Sequence, residues 1–360
     1  MQREEIEAWY DQRRSQYQDY VQVAQRLIET LLREEGIPYH SVSGRLKDRE
    51  SYIGKCFRKE YDEPDKVMDL AGIRIITHTI AEIQRVQEVI EREFEVDPEN
   101  SGDKAQEMGV DRVGYLSVHY VVRIGNTRSG LREYARFAGL CLEIQVRSLL
   151  QHAWAEIEHD RGYKFSGKLP SEIERRFHLI AGTLELMDEE FRALSEEIDQ
   201  YALRVVKQTQ DGNLEIAIDS TSLLQFWEEY YKDQSLEGID RNYSENSKEI
   251  IQELDGFGIT TLRQLKALLD KHPLEEILQS CDQEETRRTN YVGLMREMMI
   301  LEDPEKYFQQ AWQENWSWLE RSTLNRWEQA GISEERLRKI LDFTPFDGNE
   351  EKGDYIISLK

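Results

Sequence analysis

The chain changes its period between Leu142 and Lys164, and this change constrains its fold more than any other feature of the sequence. In LEIQVR, Leu142, Ile144 and Val146 alternate with Glu143, Gln145 and Arg147, the period of two of a strand with one buried and one polar face. From Ser148 onward, Leu149, Ala153, Trp154 and Ile157 return at helical spacing, with Ser148 placed to cap the first turn. A strand that runs straight into a helix sets Glu143, Gln145 and Arg147 along the floor of a cleft walled by that helix. The alternative for this stretch alone is a half-solvated edge strand whose charges pair with one another.

A second carboxylate lies upstream, in VMDLAGIRIIT (Val67–Thr77). Gly72 to Ile76 is a short apolar run of β type, and Asp69 stands just before it, where a strand edge presents a side chain to a ligand. Two acids on neighbouring strands suit Mg²⁺ in phosphate chemistry, because that ion takes one or two carboxylates, keeps some water and bridges to phosphate oxygens.

The motifs GRLK (Gly44–Lys47), SYIGK (Ser51–Lys55), DLAGIRI (Asp69–Ile75), GYLSVHYVV (Gly114–Val122), EIQVR (Glu143–Arg147) and EHDRGYK (Glu158–Lys164) follow one another in this order. In this the chain resembles the RelA/SpoT synthetase family, in the form of a small alarmone synthetase without a hydrolase domain. The likeness runs over roughly residues 20–200. It implies a nucleotidyltransferase-like synthetase fold and transfer of the β,γ-pyrophosphate of ATP to the 3′-hydroxyl of GDP or GTP, with Mg²⁺ as cofactor, (p)ppGpp as product and AMP released. By the same resemblance Asp69 and Glu143 are the catalytic and metal-binding acids. Arg45 packs on the adenine of ATP, and Lys47, Lys55 and Arg74 meet its phosphates. Tyr115 stacks on the guanine of the acceptor, which Arg112, His119, Gln145, Arg147 and Lys164 also line. The pair His159-Asp160 falls inside EHDRGYK, and this position accounts for it without a metal-dependent hydrolase. The chain departs from the family at Asp111-Arg112-Val113-Gly114-Tyr115, where many members have Lys-x-Asn-Gly-Tyr. Arg112 then stands in for the Lys and Val113 replaces the Asn, which leaves the choice of acceptor open.

Charge sharpens the basic patch around these motifs. The chain has 360 residues with 47 basic against 71 acidic, a net charge of −24, which argues against broad adhesion to nucleic acid or anionic membrane. Arg45, Lys47, Lys55, Arg58 and Lys59 are the densest basic group in this acidic chain. Fixed Lys and Arg side chains are how proteins hold a triphosphate. The plain reading of Arg58 and Lys59 is a solvated helix face. Cys56, Cys141 and Cys281 show no C-x-x-C spacing, so neither a zinc site nor a disulfide framework is expected, and they read as thiols of a reducing cytosol. Without an apolar run of the ~20 residues that a membrane helix needs, and without a signal peptide, the expected location is cytoplasmic.

In chain order, residues 1–35 read as a helix with Tyr17, Val21, Ala24, Ile28 and Leu31 on one face, stopped by Gly36-Ile37-Pro38. A strand ends at Leu46, a helix covers roughly 49–60, and Ala81–Phe94 is amphipathic. Tyr115–Ile124 reads as a strand with Tyr115, Ser117 and His119 on one face. Pro170–Lys207 is a long helical pattern (Ile173, Phe177, Ile180, Leu184, Met187, Phe191, Leu194, Ile198), expected to cover a sheet face. Gln210-Asp211-Gly212-Asn213 is a turn-rich break. The expectation is therefore an α+β synthetase domain at 1–207, a mixed sheet covered by helices, followed by a mainly α-helical domain at 210–360 that regulates or assembles. Within it Leu214–Ile218 reads as one strand, Leu254–Leu269 as a structural helical hairpin, and Trp312, Trp316, Trp318 and Trp327 as core or a protein-facing surface. ATP and GDP or GTP are the expected partners. A homo-oligomer and tRNA stay open, tRNA being the less favoured. Two other functions stay open as well: pyrophosphorylation of another 3′-hydroxyl, on an adenine nucleotide or a tRNA end, and a catalytically silent nucleotide-binding regulator.

Overall fold

The alternating segments at 71–77 and 142–148 become the centre of a mixed sheet in the computed structural model, which describes residues 2–103, 117–164, 170–232, 247–273, 277, 290–346 and 354–360, with the backbone alone for 159–164 and 247. Strands β1 (Ser41–Leu46), β2 (Ala71–Thr77), β3 (Phe94–Val96), β4 (Gly102–Asp103), β5 (Val118–Ile124) and β6 (Leu142–Ser148) form it in the order β1-β2-β6-β5-β3, with β4 also on β5. β2 and β6 run parallel; β1 with β2, β5 with β6 and β3 with β5 run antiparallel. The apolar members of the alternation, Ile73, Ile75, Leu142, Ile144 and Val146, are buried. They share a core with Tyr17, Val21, Ala24 and Ile28 of helix α1 (Arg3–Glu34) and with Val86 and Ile90 of helix α3 (Ala81–Glu93). Gly36 ends α1 with a positive φ of 59°, a conformation open to glycine at little cost. The N-terminal aromatics are packing groups, with Tyr10, Tyr17 and Tyr20 buried and Trp9 stacked on Tyr52.

The polar face of the sheet is bounded by helix α2 (Arg49–Arg58), whose N-cap Asp48 accepts from the backbone of Glu50 and Ser51, and by helix α4 (Leu149–Lys164). Ser148 starts α4 as its sequence suggested. Its Oγ accepts from Gln151 N at 3.1 Å while Gln151 Oε1 accepts from Ser148 N at 2.9 Å, a reciprocal cap.

The chain divides into two compact units, Met1–Glu197 and Ile198–Lys360, not at the turn 210–213. Helix α5 (Ser171–Gln210) runs on to that turn. Its last turns belong to the second unit, where Val205 is buried in the core and Tyr201 packs on it, so burial rather than turn chemistry sets the boundary. The stripe on α5 also departs from expectation. Phe177 and Leu184 pack with Trp154, but Ile173, Ile180, Met187, Phe191, Leu194 and Ile198 are each at least 42% exposed. The helix is held instead by the small Ala181 and by buried Asp188, which accepts from Ser148 Oγ. Helical periodicity marks a face, and tertiary packing chooses which part of it is covered.

The second unit is mainly helical, with α6 (Ser220–Tyr230), α7 (Ser247–Gly256), α8 (Leu262–Lys271), α9 (Tyr291–Glu302) and α10 (Arg321–Gln329). α7 and α8 form the expected hairpin. Gly258 turns with a φ of 84°, Thr261 caps α8, and Leu254, Phe257, Ile259 and Leu262 point into the core. Leu214–Ile218 contributes only a bridge between Ala217 and Thr261. A small antiparallel sheet, absent from the sequence reading, joins β7 (Trp318–Leu319), β8 (Leu341–Pro345) and β9 (Tyr355–Leu359) in the order β7-β9-β8. Among the described residues no helix is long and apolar enough to cross a membrane.

Candidate active site

Strand register assembles the site. Arg45 pairs with Gly72, Gly72 with Glu143, and Glu143 with Val121; two residues along, Ser43, Arg74, Gln145 and His119 form the next row on the same face. Because side chains alternate across a strand, Arg45, Arg74, Glu143, Gln145, Arg147 and His119 all stand on one face. Gly72 keeps this floor low: a Cβ built there would lie 3.7 Å from Arg45 Cγ and 3.9 Å from its Nε, so the Arg45 side chain rests over the glycine. Asp69 and Glu143 lie at the same end of the parallel pair, near the starts of β2 and β6.

Asp69 is the best-held acid. Its Oδ2 accepts from Lys47 Nζ and from Lys55 Nζ, each at 2.6 Å, one ammonium from the end of β1 and one from α2. Its Oδ1 is buried without a hydrogen-bond partner. Such an oxygen carries a desolvation cost of about 1–3 kcal/mol unless a ligand satisfies it. Two lysines on one carboxylate also leave a net positive charge there, which suits an anion arriving beside them.

Glu143 sits in a chain of side chains. Its Oε1 lies 3.1 Å from His119 Nδ1, and His119 Nε2 lies 2.6 Å from Ser117 Oγ. A proton on Nδ1 lets His119 donate to Glu143 and accept from the serine. On the other side Gln145 Nε2 donates to Glu143 Oε2 at 2.9 Å, and Arg147 donates to Gln145 Oε1 at 3.3 Å. The alternation of EIQVR thus sets a chain of hydrogen bonds along one strand face, anchored by a histidine from the neighbouring strand.

Three guanidinium groups crowd this floor. Burial first, and the neighbouring Arg74 second, lower the pKa of Arg147 below the usual arginine range; Arg45 adds to this, and Glu156 and Glu143 oppose it. Arg147 Nε is buried without a partner. Arg74 is held by Glu156 of α4 at 2.9 Å. His152, one turn before Glu156, is also lowered, by burial and then by Arg74. Like charges gathered at a partly buried face repel one another and favour any anion that binds among them.

The site residues read from the sequence therefore fall into groups. Asp69, Lys47 and Lys55 are joined directly, as are Glu143, His119, Gln145 and Arg147, and Arg45 and Arg74 share their face. Arg112 and Tyr115 lie outside the described residues, as does the side chain of Lys164. The sequence reading gave no role to Ser117, His152 or Glu156. The last two are four apart on α4 and so share one face, a spacing visible in the sequence, but only the fold shows that this face meets Arg74.

Among the described residues no group of three or more His, Cys, Asp or Glu is arranged to hold a metal. Mg²⁺ needs fewer protein ligands when phosphate oxygens complete its shell. The buried, unpartnered Oδ1 of Asp69, with Glu143 at the same sheet end, fits that ion.

The family model and the curated relatives point to one class. The family described as "Region found in RelA / SpoT proteins" matches residues 44–168, within the first unit. GTP pyrophosphokinase YjbM of Bacillus subtilis (strain 168) is 30% identical over 166 residues, which span 45% of this chain and 75% of that protein. The chain belongs to the RelA/SpoT family and is an enzyme of its GTP pyrophosphokinase kind. GTP pyrophosphokinase YwaC of the same organism is 26% identical over 167 residues, 45% of this chain and 76% of that one. The crystal structure of small alarmone synthetase 1 from Bacillus subtilis is 27% identical and covers 53% of this chain and 98% of that one, with a TM-score of 0.46.

Proposed function

We propose that this chain transfers the β,γ-pyrophosphate of ATP to the 3′-hydroxyl of GDP or GTP, forming (p)ppGpp and AMP. The observation that carries the reading is the cationic floor of Arg45, Arg74 and Arg147 beside Lys47 and Lys55, set against two carboxylates in an otherwise acidic chain. Its relatives named GTP pyrophosphokinase support the same reaction.

In this reading the 3′-oxygen of the acceptor bonds to the β-phosphorus of ATP as the bond from that phosphorus to the α,β-bridging oxygen breaks. The electron pair leaves with AMP, and the hydroxyl proton passes to Glu143, which His119 and Gln145 hold in one orientation. General-base work needs this kind of fixed geometry. The lysines and arginines bind the phosphates and offset the charge that builds on the oxygens, so most of the rate gain comes from positioning and electrostatics. Asp69, whose Oδ1 has no partner, would hold Mg²⁺, which supplies charge neutralisation to the triphosphate. By the family resemblance the acceptor nucleotide falls to Tyr115, Arg112 and Lys164, whose side chains lie outside the described residues.

Incubation with ATP labelled at the γ-phosphorus and each of GDP, GTP, ATP and tRNA, followed by product separation, tests the reading. Label is expected on the guanine nucleotides. Label on tRNA or on an adenine nucleotide alone, or on none of the four, overturns it.

A further inference from the structure

A cavity of about 350 Å³ lies wholly inside the second unit, between α9, β7 and α10, within the size range of small-molecule sites. Three tryptophans line it. Trp327 Nε1 donates to Glu297 Oε1 at 2.9 Å and Trp316 Nε1 donates to the Tyr307 hydroxyl at 3.0 Å. Both indoles thus turn their polar edge to the protein, and what they offer the cavity is ring carbon. Trp318 stands at the rim, 44% exposed. Aromatic walls of this kind take a flat ring by stacking.

The polar groups beside them are few. Glu297 takes both its bonds, from Trp327 and from Arg326 Nε at 3.1 Å, on the same oxygen, Oε1. Its Oε2 accepts nothing from the described residues, so it remains an acceptor for an N–H of a ligand. Asn290 spends Oδ1 on the Gly293 backbone at 2.9 Å, which keeps its Nδ2 as a donor. Charge decides against an anion. Arg296 and Arg326 are balanced by Glu297 and Glu320 in the same lining, and Arg296 is further bonded to Glu253 at 2.7 Å and to Glu249 at 3.3 Å. Among the described residues no surplus cation is left for a phosphate. The fully buried Glu253 also accepts from Tyr307 at 2.9 Å, so one satisfied network fixes Arg296, Tyr307 and Trp316 before any ligand arrives. A wall held this way loses little entropy on binding.

We propose that this cavity binds a flat, uncharged heteroaromatic ring bearing an N–H donor, of the kind a purine nucleoside presents, with the ring against the tryptophans and the N–H on Glu297 Oε2. The site stands independently of the transferase reading.

Calorimetry on the full chain without added metal, using guanosine, adenosine, indole and the 5′-triphosphates of the two nucleosides as probes, tests it. At least one of the three neutral probes is expected to bind. Trp318→Ala and Thr323→Val alter two residues of the cavity lining without removing a buried contact, and Glu297→Gln keeps an amide oxygen for Trp327 while replacing the acceptor Oε2 by an NH₂ donor. Each is expected to lower neutral-probe affinity, by about tenfold for Trp318→Ala and Glu297→Gln. Failure of all neutral probes to bind overturns the proposal. So does binding that all three variants leave unchanged, since that heat would come from elsewhere on the chain, and so does a variant-sensitive preference for the triphosphates.

Discussion

Asp69 shows what a single carboxylate does here: it fixes two lysines through one oxygen and leaves the other buried without a hydrogen-bond partner. Asp69→Asn and Glu143→Gln change charge with little change of volume, so each is expected to abolish pyrophosphate transfer while circular dichroism stays that of the wild type. Wild-type turnover in either folded variant would remove that residue from the site. His152 gives a pH signature. Its pKa in the folded chain lies below the ordinary value of 6.5 through burial and the cationic Arg74, so the unfolded chain takes up a proton more readily. The stability tied to the neutral ring is therefore complete above about pH 6.5 and is lost as pH falls through the folded value. The melting temperature of the wild type should accordingly drop more on acidification below pH 6.5 than that of His152→Gln; equal slopes would show that this imidazole is not linked to folding.

At the scale of elements, β1 is held against α1 at the position where the strand lacks a side chain. A Cβ on Gly44 would lie 2.4 Å from Val21 Cγ1 and 3.1 Å from Ile73 Cδ1. Gly44→Ala must then displace the side chain of Val21 or the helix that carries it, and a loss of about 1–3 kcal/mol is expected in urea unfolding. A variant as stable as the wild type would mean that α1 shifts freely. The elements themselves were largely legible: β2, β6, α1, α3 and the α7–α8 hairpin follow from periods of 2 and 3.6, from Ser148 and Thr261 as caps, and from Gly36 and Gly258 as turns. The stripe of α5 was visible as a pattern but not in its burial. Its helix is held by Ala181 and Asp188, one too small and one too polar to count in a search for apolar periodicity. The β7-β9-β8 sheet was missed because its strands are two to five residues long and pair across long sequence separations.

At the scale of the molecule, two hydrophobic clusters share no residue: one draws on residues up to Val146, the other begins at Val205. Residues 1–207 expressed alone are therefore expected to fold and to retain pyrophosphate transfer, with the remainder altering rate or oligomeric state. Product formation and solution mass of that fragment decide it; a soluble, folded fragment without activity would show that residues 208–360 complete the active site.

The sequence by itself determined the family, and it singled out the two acids and the cationic residues on which the proposed reaction rests, because alternation along a strand and the order of short motifs are local properties that survive without coordinates. Tertiary structure alone decided that Lys47 and Lys55 converge on one oxygen of Asp69, that His119 from β5 meets Glu143 on β6, that Glu156 faces Arg74, and that the two units part inside α5. Each of these depends on strand register or on which helix face is buried, and both are set by side chains that are distant in sequence and close only once the core has formed.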